Sequence, residues 1–331
     1  MSKRIVASLL LTALAWSSQA AEMDIQISAP VIDKTLPSGS GMSWHRGQFF
    51  VVGDDAPDLF VLDRNFAIVD RFLLKAYPVQ ADGRIPKDLK PDYEAMASVA
   101  WNGSVWNLIL GSGSLPGVRE TGFLVSTDGK FVSHAQDMAD LYRDLATRAG
   151  FNAGQFVNIE ALAIADDHAY LFNRGNAGRN LLFKLGLGDL MAYMSGATRK
   201  IRNIEMHEAQ LPRWKGVEAG FSGADYWPEI RCLVYSASVE RSANAVDDGS
   251  VLGSYLGLIP LSMLKDNARL DLSQSAQLIS RNNVPVATKV ESVVLTRTER
   301  HRATGALVSD NDDGSSEFFD LVLTLRPATR P

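Results

Sequence analysis

The sequence predicts an all-β fold, a five-bladed β-propeller with one inserted helix. The chain has many short β-branched or aromatic runs bounded by Gly, Asp, Asn and Pro, which are typical of strands separated by turns. A unit of such runs repeats five times, and the fifth unit ends after three strands. A six-bladed ring is the alternative that these patterns leave open.

Each repeated unit opens with a run of small and apolar residues and continues with a second apolar run that ends in polar residues. The opening runs are SGSGMSW (38–44), YEAMASV (93–99), IEALAI (159–164), VEAGFSG (217–223) and VESVVL (290–295). Four of them carry a glutamate, and these glutamates are 66, 58 and 73 residues apart, at Glu94, Glu160, Glu218 and Glu291. This spacing fits a four-stranded blade with loop insertions.

The fifth unit needs an outer strand from elsewhere in the chain. Residues 23–35 include the alternating segment MDIQISAPVID, which is predicted to supply that strand. The ring would then be closed, with no long strand edge exposed to solvent.

One segment, at about 136–150, departs from the β pattern. It places Met138, Leu141 and Leu145 on one helical face and ends at Gly150, a typical residue for a helix C-terminus. We interpret it as a helical insertion packed on the propeller, within a single domain that spans residues 21–331.

The first twenty residues form a separate unit of the sequence. Lys3 and Arg4 precede an apolar run of about a dozen residues, which ends in small residues at Ala20. This pattern predicts a signal peptide over residues 1–20 and a periplasmic or secreted mature chain, with no membrane insertion after cleavage.

Composition limits the remaining function classes. With 331 residues, 46% of them hydrophobic, the chain can bury a large core. Its formal net charge of −5 disfavours nucleic acid as a partner. The only cysteine, Cys232, lies in an apolar segment, so it is predicted to be a core residue and no intrachain disulfide can form.

In a propeller the first strand of each blade lines the central channel. Glu94, Glu160, Glu218 and Glu291 would therefore form a ring, with Ser40 as the counterpart in the first blade. Crowded carboxylates repel one another and lose hydration, which raises their pKa values unless a cation compensates. Calcium is the favoured ion, because it binds six to eight oxygen ligands, whereas zinc prefers His or Cys.

The alternative is a ring that is ion-paired or protonated and holds no metal. Lys289 lies two residues before Glu291 and hence on the same strand face, so a salt bridge is expected there. Lys215 should face away from Glu218, and the other glutamates have no evident basic partner in the sequence.

Polar residues at the ends of the second strands are predicted to cluster at one mouth of the channel, although each is also an ordinary turn residue. These residues are Asp54, Asp55, Ser112, Ser114, Asn173, Arg174, Ser236, Ser238, Glu240, Arg241, Asp310, Asn311 and Asp312.

The order of several segments resembles the calcium-activated nucleotidase (apyrase) family and, more loosely, the phytase-like propellers. The segments that carry the resemblance are LYRDLATRAGF followed by NIEALAI, GDD at 53–55, YEAMASV, NRGN at 173–176 and TKVESVV at 288–294. The resemblance implies a secreted five-bladed propeller with one channel calcium ion and hydrolysis of nucleoside diphosphates or triphosphates at the mouth. It implies Ser40, Glu94, Glu160 and Glu291 as calcium ligands, while Glu218 stands where that family has Ser.

The resemblance also bears on catalysis. It implies that Arg174 holds a phosphate, with Arg119 or Arg241 assisting, and that Asp54 or Asp55 positions or deprotonates a water beside the metal. The chain departs from the family after GDD, because it continues with APD where the family has Arg-Thr-Gly, so one phosphate-binding arginine is absent.

Three functions are compatible with this sequence. The first is a calcium-dependent hydrolase of phosphate esters or anhydrides that acts on a small phosphorylated substrate. The second is a non-catalytic periplasmic binding or scaffold propeller with a protein partner, and the third is a metal propeller of the lactonase or esterase type. A hydrolase should gather an Asp, an Arg and the metal at the channel mouth.

Overall fold

Five blade sheets surround one channel in the computed structural model, which describes residues 22–241, 249–265, 267–310 and 314–326. The innermost strands of neighbouring sheets contact one another in cyclic order, and the fifth contacts the first. The predicted five-bladed propeller is confirmed, and the six-bladed alternative is wrong.

Each of the first four blades has four antiparallel strands, which succeed one another from the channel outward, and Leu270–Asp271 pairs parallel with the outer strand of blade 3. Blade 1 consists of Gly39–His45, Gln48–Gly53, Asp58–Leu62 and Ile68–Leu73. Blade 2 consists of Tyr93–Trp101, Ser104–Gly111, Thr121–Ser126 and Ser133–Asp137. Blade 3 consists of Ile159–Ala165, His168–Asn173, Leu181–Gly186 and Ile204–Gln210. Blade 4 consists of Gly220–Trp227, Cys232–Arg241, Ser250–Pro260 and Ala276–Leu278.

Blade 5 combines both ends of the described chain. Its first three strands are Lys289–Glu299, Arg302–Asp310 and Ser316–Arg326. The outer positions are taken by Glu22–Ile27 and Val31–Asp33, which both pair antiparallel with the third strand. The prediction that residues 23–35 complete the last blade is therefore confirmed, and this pairing closes the ring.

Apolar side chains fill the space between each pair of neighbouring blades. Between blades 3 and 4, for example, Phe221 makes edge-to-face contacts with Phe172 and Tyr235. Between blades 1 and 5, Phe66 stacks on Phe318. These layers explain why the inner strands are rich in apolar residues on both faces.

Helix α1 (Ala139–Ala149) matches the predicted insertion. Met138, Leu141 and Leu145 are buried, and Gly150 ends the helix with a left-handed φ of 63°. A second helix, α2 (Leu187–Met194), was not predicted. Both helices pack against the apolar layer between blades 2 and 3.

The remaining elements are short. They are the strands Arg213–Trp214, Val217–Glu218, Leu270–Asp271, Ser280–Arg281 and Val284–Pro285, and the 3₁₀ turns Gly175–Ala177, Pro228–Ile230 and Leu261–Met263.

Cys232 begins the second strand of blade 4 and is buried, as predicted. Burial raises the pKa of its thiol to about 12.

The predicted signal peptide over residues 1–20 lies outside the described residues. In the described part of the chain, neither α-helix is long and apolar enough to span a membrane.

Candidate functional site

A β-bulge interrupts the inner strand of every blade near its first residues. The register shifts around Glu94 in blade 2, around Glu160 in blade 3 and around Glu291 in blade 5. In blade 1 the shift spans Ser40, and in blade 4 it falls at Ser222. Since a bulge redirects the side chain of the extra residue, the five bulges place an oxygen donor from each blade at equivalent positions.

A small residue follows each bulge residue, and the close approach of neighbouring inner strands explains why. A Cβ added to Gly223 would lie 2.7 Å from Ser292 Cα, and one added to Gly41 would lie 2.9 Å from Met96 Cβ. The sequence motif of an oxygen donor followed by a small residue is therefore a requirement of packing around the channel as well as a candidate ligand pattern.

The placement of Glu218 differs from the sequence-based expectation. Glu218 precedes the inner strand of blade 4 and lies in a small hairpin, where Arg213 Nη2 contacts Glu218 Oε2 at 2.6 Å. Its side chain is 32% exposed. Ser222 takes the blade 4 position instead and is fully buried, with its hydroxyl 3.1 Å from that of Ser236. The segment Phe-Ser-Gly at 221–223 could have indicated this position from the sequence. Like Ile-Glu-Ala at 159–161, it consists of an apolar residue, an oxygen donor and a small residue.

The glutamates of blades 2, 3 and 5 lie close enough to repel one another. Burial and the charge of Glu291 raise the pKa of Glu160 to about 7, against the opposing charge of Arg174. Burial also raises the pKa of Glu94 well above its usual range, and the nearby charges of Glu160 and Asp92 add to that effect. These three side chains, the glutamate cluster, repel one another through their charges, whereas Glu218, the fourth member of the predicted ring, lies in a separate hairpin.

Two basic side chains partly compensate this cluster. Lys289 Nζ lies 3.0 Å from Glu291 Oε1, so the expected salt bridge is confirmed. Arg174 Nη1 lies 3.3 Å from Glu160 Oε2 and 3.9 Å from Glu291 Oε2, and its Nη2 donates to Glu240 Oε2 at 2.9 Å. The expectation that Glu160 has no basic partner is therefore wrong, because Arg174 comes from the turn after the neighbouring strand.

Several buried carboxylate oxygens have no hydrogen-bond partner. Glu291 is 3% exposed, yet its Oε2 has no donor among the described residues, and the same holds for Oδ1 of Asp54. Glu94, which lies beside Asp54 and Asp92, makes no hydrogen bond or ion pair within the described part of the chain. A buried oxygen without a donor is costly, so these atoms are candidate ligands for a cation or acceptors for a water.

Asp54 lies in a second acidic group, between blades 1 and 2. Asp54, Asp92 and Glu94 each offer an oxygen within 4.8 Å of the others. Lys90 contacts Asp54 Oδ2 and lies 3.0 Å from Asp92 Oδ1, so its ammonium bridges the two aspartates. Arg119 Nη1 donates to Asp92 Oδ2 at 2.7 Å. Lys90 and Arg119 outweigh burial and lower the pKa of Asp92.

Asp55 is oriented away from that group and pairs with Arg84 at 2.5 Å. Burial and the charge of Asp54 raise the pKa of Asp55 to about 6, against the opposing effect of Arg84. The three predicted catalytic residues are thus divided: Asp54 and Asp55 belong to the blade 1 and 2 side, and Arg174 belongs to the glutamate cluster. Sequence reasoning missed Asp92 and Lys90, although Asp92 lies only two residues before Glu94, just ahead of the inner strand of blade 2.

The other polar residues at the ends of the second strands mostly support these two groups. Ser112 and Ser114 donate to Asp92, and Glu240 accepts from Arg174 and from the amide of Gly249. Asn173 accepts from the backbone amide of Asn158. Asn311 and Asp312 lie outside the described residues.

The site as a whole offers oxygen donors around buried, incompletely compensated negative charge. In the described part of the chain, the five bulge positions hold only carboxylates and hydroxyls. Such donors suit a hard cation such as calcium and lack the His or Cys ligands that zinc prefers.

Solved structures with a similar arrangement are distant in sequence. A glutaminyl cyclase from Myxococcus xanthus is 10% identical, with a TM-score of 0.46 over 93% of this chain and 100% of that chain. An arabinanase from Bacillus subtilis is 13% identical, with a TM-score of 0.43 over 86% and 95% of the two chains. A virginiamycin B lyase from Staphylococcus aureus is 9% identical, with a TM-score of 0.36 over 92% and 100%. Likenesses this distant carry no argument about activity.

Sequence comparison gives one assignment. No curated protein matches the chain. The resemblance to the apyrase family is not confirmed, although its five-bladed architecture fits. A family model matches residues 35–323, which include the inner strand of every blade. The chain therefore belongs to the family of unknown function DUF6929.

Proposed function

We propose that this protein is a secreted propeller that binds a divalent cation, calcium, among the bulge residues at the channel mouth. The observation that carries the proposal is that Glu160 and Glu291, from different blades, share Arg174, while the buried Oε2 of Glu291 has no hydrogen-bond donor among the described residues. Glu94, from a third blade, lies near enough for the charges of both glutamates to raise its pKa. A cation would compensate the charge that raises the pKa values of Glu94 and Glu160.

The local charge balance supports an ion of this valence. Four carboxylates, those of Glu94, Glu160, Glu240 and Glu291, are neighbours of Arg174 and share that guanidinium and the ammonium of Lys289. If all four are ionised, two negative charges remain. A divalent cation would neutralise them, whereas protonation of two carboxylates is the metal-free alternative.

The residues that would hold the ion are Glu94, Glu160 and Glu291, with the hydroxyls of Ser40 and Ser222 at the two remaining bulge positions. With Ser222 in place of Glu218, each of the five blades contributes one oxygen donor at its bulge. The acidic group of Asp54 and Asp92 is a weaker candidate, because Lys90 already places a positive charge between them.

The signal-like segment at residues 1–20 favours a periplasmic or extracellular location, where calcium sites typically have dissociation constants of about 10⁻⁴–10⁻³ M. We therefore expect calcium at about one hundred times its dissociation constant to stabilise the fold by about 2.7 kcal/mol. Differential scanning calorimetry in calcium and in chelator measures this shift. An unchanged melting temperature would contradict the proposal, and magnesium serves as the control ion.

A more specific proposal than cation binding is calcium-dependent hydrolysis of a phosphate ester or anhydride, and the environment of Asp54 favours it. Its Oδ1 is buried, has no hydrogen-bond donor among the described residues and lies next to Glu94. A carboxylate in this state can accept a proton from water. A bound calcium ion would supply Lewis-acid polarisation of a phosphoryl oxygen. Arg174 would assist the phosphate only after releasing Glu160 or Glu240, which both contact it now.

A panel of nucleotides, phosphate esters and lactones, with calcium and with chelator, tests the finer proposal. We expect calcium-dependent phosphate release that Asp54→Asn lowers by about 10²-fold or more, in line with loss of a general base. Asp70→Asn, on the exposed outer strand of blade 1, is the matched control. Turnover of lactones alone would favour a lactonase or esterase. Calcium binding without any turnover would favour a binding or scaffold propeller with a protein partner.

A further inference from the structure

A cavity of about 540 Å³ lies between blades 3 and 4, beside the glutamate cluster. Its volume is in the range of small-molecule sites, about 300–1,000 Å³. Arg174 and Glu240 form part of its wall and also contact each other, so the cavity adjoins the channel network. The glutamates proposed to bind the cation, Glu94, Glu160 and Glu291, do not line this cavity.

Three further arginines, Arg179, Arg213 and Arg269, line the same cavity. They share two carboxylates: Arg179 and Arg269 contact Glu208 at 2.8 and 3.4 Å, and Arg213 contacts Glu218 at 2.6 Å. The rim therefore carries one positive charge in excess. The side chains of Arg213 and Arg269 are 63% and 72% exposed, so a ligand can reach both guanidinium groups.

In these ion pairs a ligand can replace the glutamate as the partner of the arginine. Exposed salt bridges contribute little, because solvent screens them and ordering two side chains costs entropy. A phosphate group can accept two parallel hydrogen bonds from one guanidinium and carries more charge than a single carboxylate. It can therefore replace Glu218 or Glu208 as the partner of an arginine at the rim.

A second observation at the wall of the cavity also indicates a ligand. Ser238, which is 1% exposed, lines the cavity, and its hydroxyl has no hydrogen-bond partner among the described residues. A buried hydroxyl usually has a partner, so an acceptor on a ligand would satisfy this group.

We propose that this cavity binds a small molecule carrying a phosphate group, with Arg213 and Arg269 holding the phosphate at the rim and Ser238 contacting the enclosed part of the ligand. The proposal goes beyond cation binding and does not require it, because the rim arginines form their ion pairs with Glu218 and Glu208, outside the glutamate cluster. If the protein is a phosphohydrolase, the cavity is where its substrate enters.

Calorimetric titration of the chelator-treated protein with pyrophosphate and with inorganic phosphate tests the inference. We expect one pyrophosphate per chain, bound more tightly than inorganic phosphate and more weakly at higher salt. The double variant R213Q/R269Q should lose about tenfold or more in affinity. The matched control is R231Q, which removes an arginine of similar exposure that pairs with Asp166 away from the cavity.

Absence of pyrophosphate binding by the wild type would overturn the inference, as would equal affinity in wild type and the double variant. Calcium titration of the same proteins separates this result from the cation proposal. R213Q/R269Q should bind calcium as the wild type does. Pyrophosphate binding can therefore be lost while calcium binding is retained, and calcium binding can be absent while pyrophosphate still binds.

Discussion

Replacing Glu94 with Gln is expected to stabilise the cation-free protein and to remove most of its stabilisation by calcium. Glu94 has no ion-pair or hydrogen-bond partner in the described part of the chain, and burial together with the charges of Glu160 and Asp92 disfavours its ionised form, raising its pKa. In the unfolded chain at neutral pH this carboxylate ionises freely. Removing it should raise the free energy of unfolding in chelator, by about 0.5–2 kcal/mol, the usual size of a single stabilising substitution.

With calcium present, Glu94→Gln should instead lower the free energy of unfolding, because it removes a charged ligand of the ion. Chemical denaturation in chelator and in calcium measures both free energies. Glu205→Gln, at a half-exposed position paired with Lys184 on the outer strand of blade 3, should change neither by more than about 0.5 kcal/mol. A Glu94→Gln protein that is destabilised in chelator, or that responds to calcium like the wild type, would show that this carboxylate is not part of a cation site.

Arg174→Met should have the largest destabilising effect in the cation-free protein. Arg174 is 6% exposed and contacts Glu160 and Glu240, and its stem packs so closely on Gly220 that an added Cβ would lie 2.6 Å from Arg174 Cγ. Methionine keeps much of the stem but leaves buried carboxylates unpaired, which costs about 3–5 kcal/mol. The loss should be smaller in calcium, because the ion supplies positive charge to the same glutamates.

The same variant should therefore bind calcium more tightly than the wild type. Arg174 competes with a cation for Glu160 and Glu291, so its removal favours the ion. Titration of folded Arg174→Met with calcium, monitored by calorimetry, gives the affinity directly, and Arg231→Met is the control at an exposed arginine. An unchanged or weaker calcium affinity in Arg174→Met would mean that the guanidinium and the ion do not share ligands.

The blade repeat was readable from the sequence because it has a physical cause at each position. A bulge residue that faces the channel must be followed by a small residue where inner strands approach, and this produced YEA, IEA and VES at the starts of three units. Closure by residues 23–35 was also predictable, because the last unit lacked an outer strand. Helix α2 was missed because its eight residues continue directly from a strand and carry few helix-terminal signals.

The placement of Glu218 shows what a local motif cannot decide. Both Glu218-Ala219 and Ser222-Gly223 fit the pattern of a donor followed by a small residue, and only strand pairing distinguishes them. The partners Arg174 and Arg213 were not evident for a related reason, since each reaches its glutamate across a strand or hairpin rather than along one. Lys90 and Asp92 precede the second unit of the repeat. The ion pairs of Lys90 with Asp54 and Asp92 form where blade 1 packs against blade 2, which the sequence alone does not show.

Calorimetric titration of the chelator-treated wild-type protein with calcium, at neutral pH and in two buffers of different ionisation enthalpy, tests the cation site most directly. Because burial raises the pKa of Glu160 to about 7, that carboxylate is partly protonated there without an ion, and the raised pKa of Glu94 also favours its protonated form. Calcium requires the ionised forms, so binding should release protons. We predict one calcium per chain with a binding heat that differs between the buffers. No binding heat, or a heat independent of the buffer, would contradict a calcium site built from these glutamates.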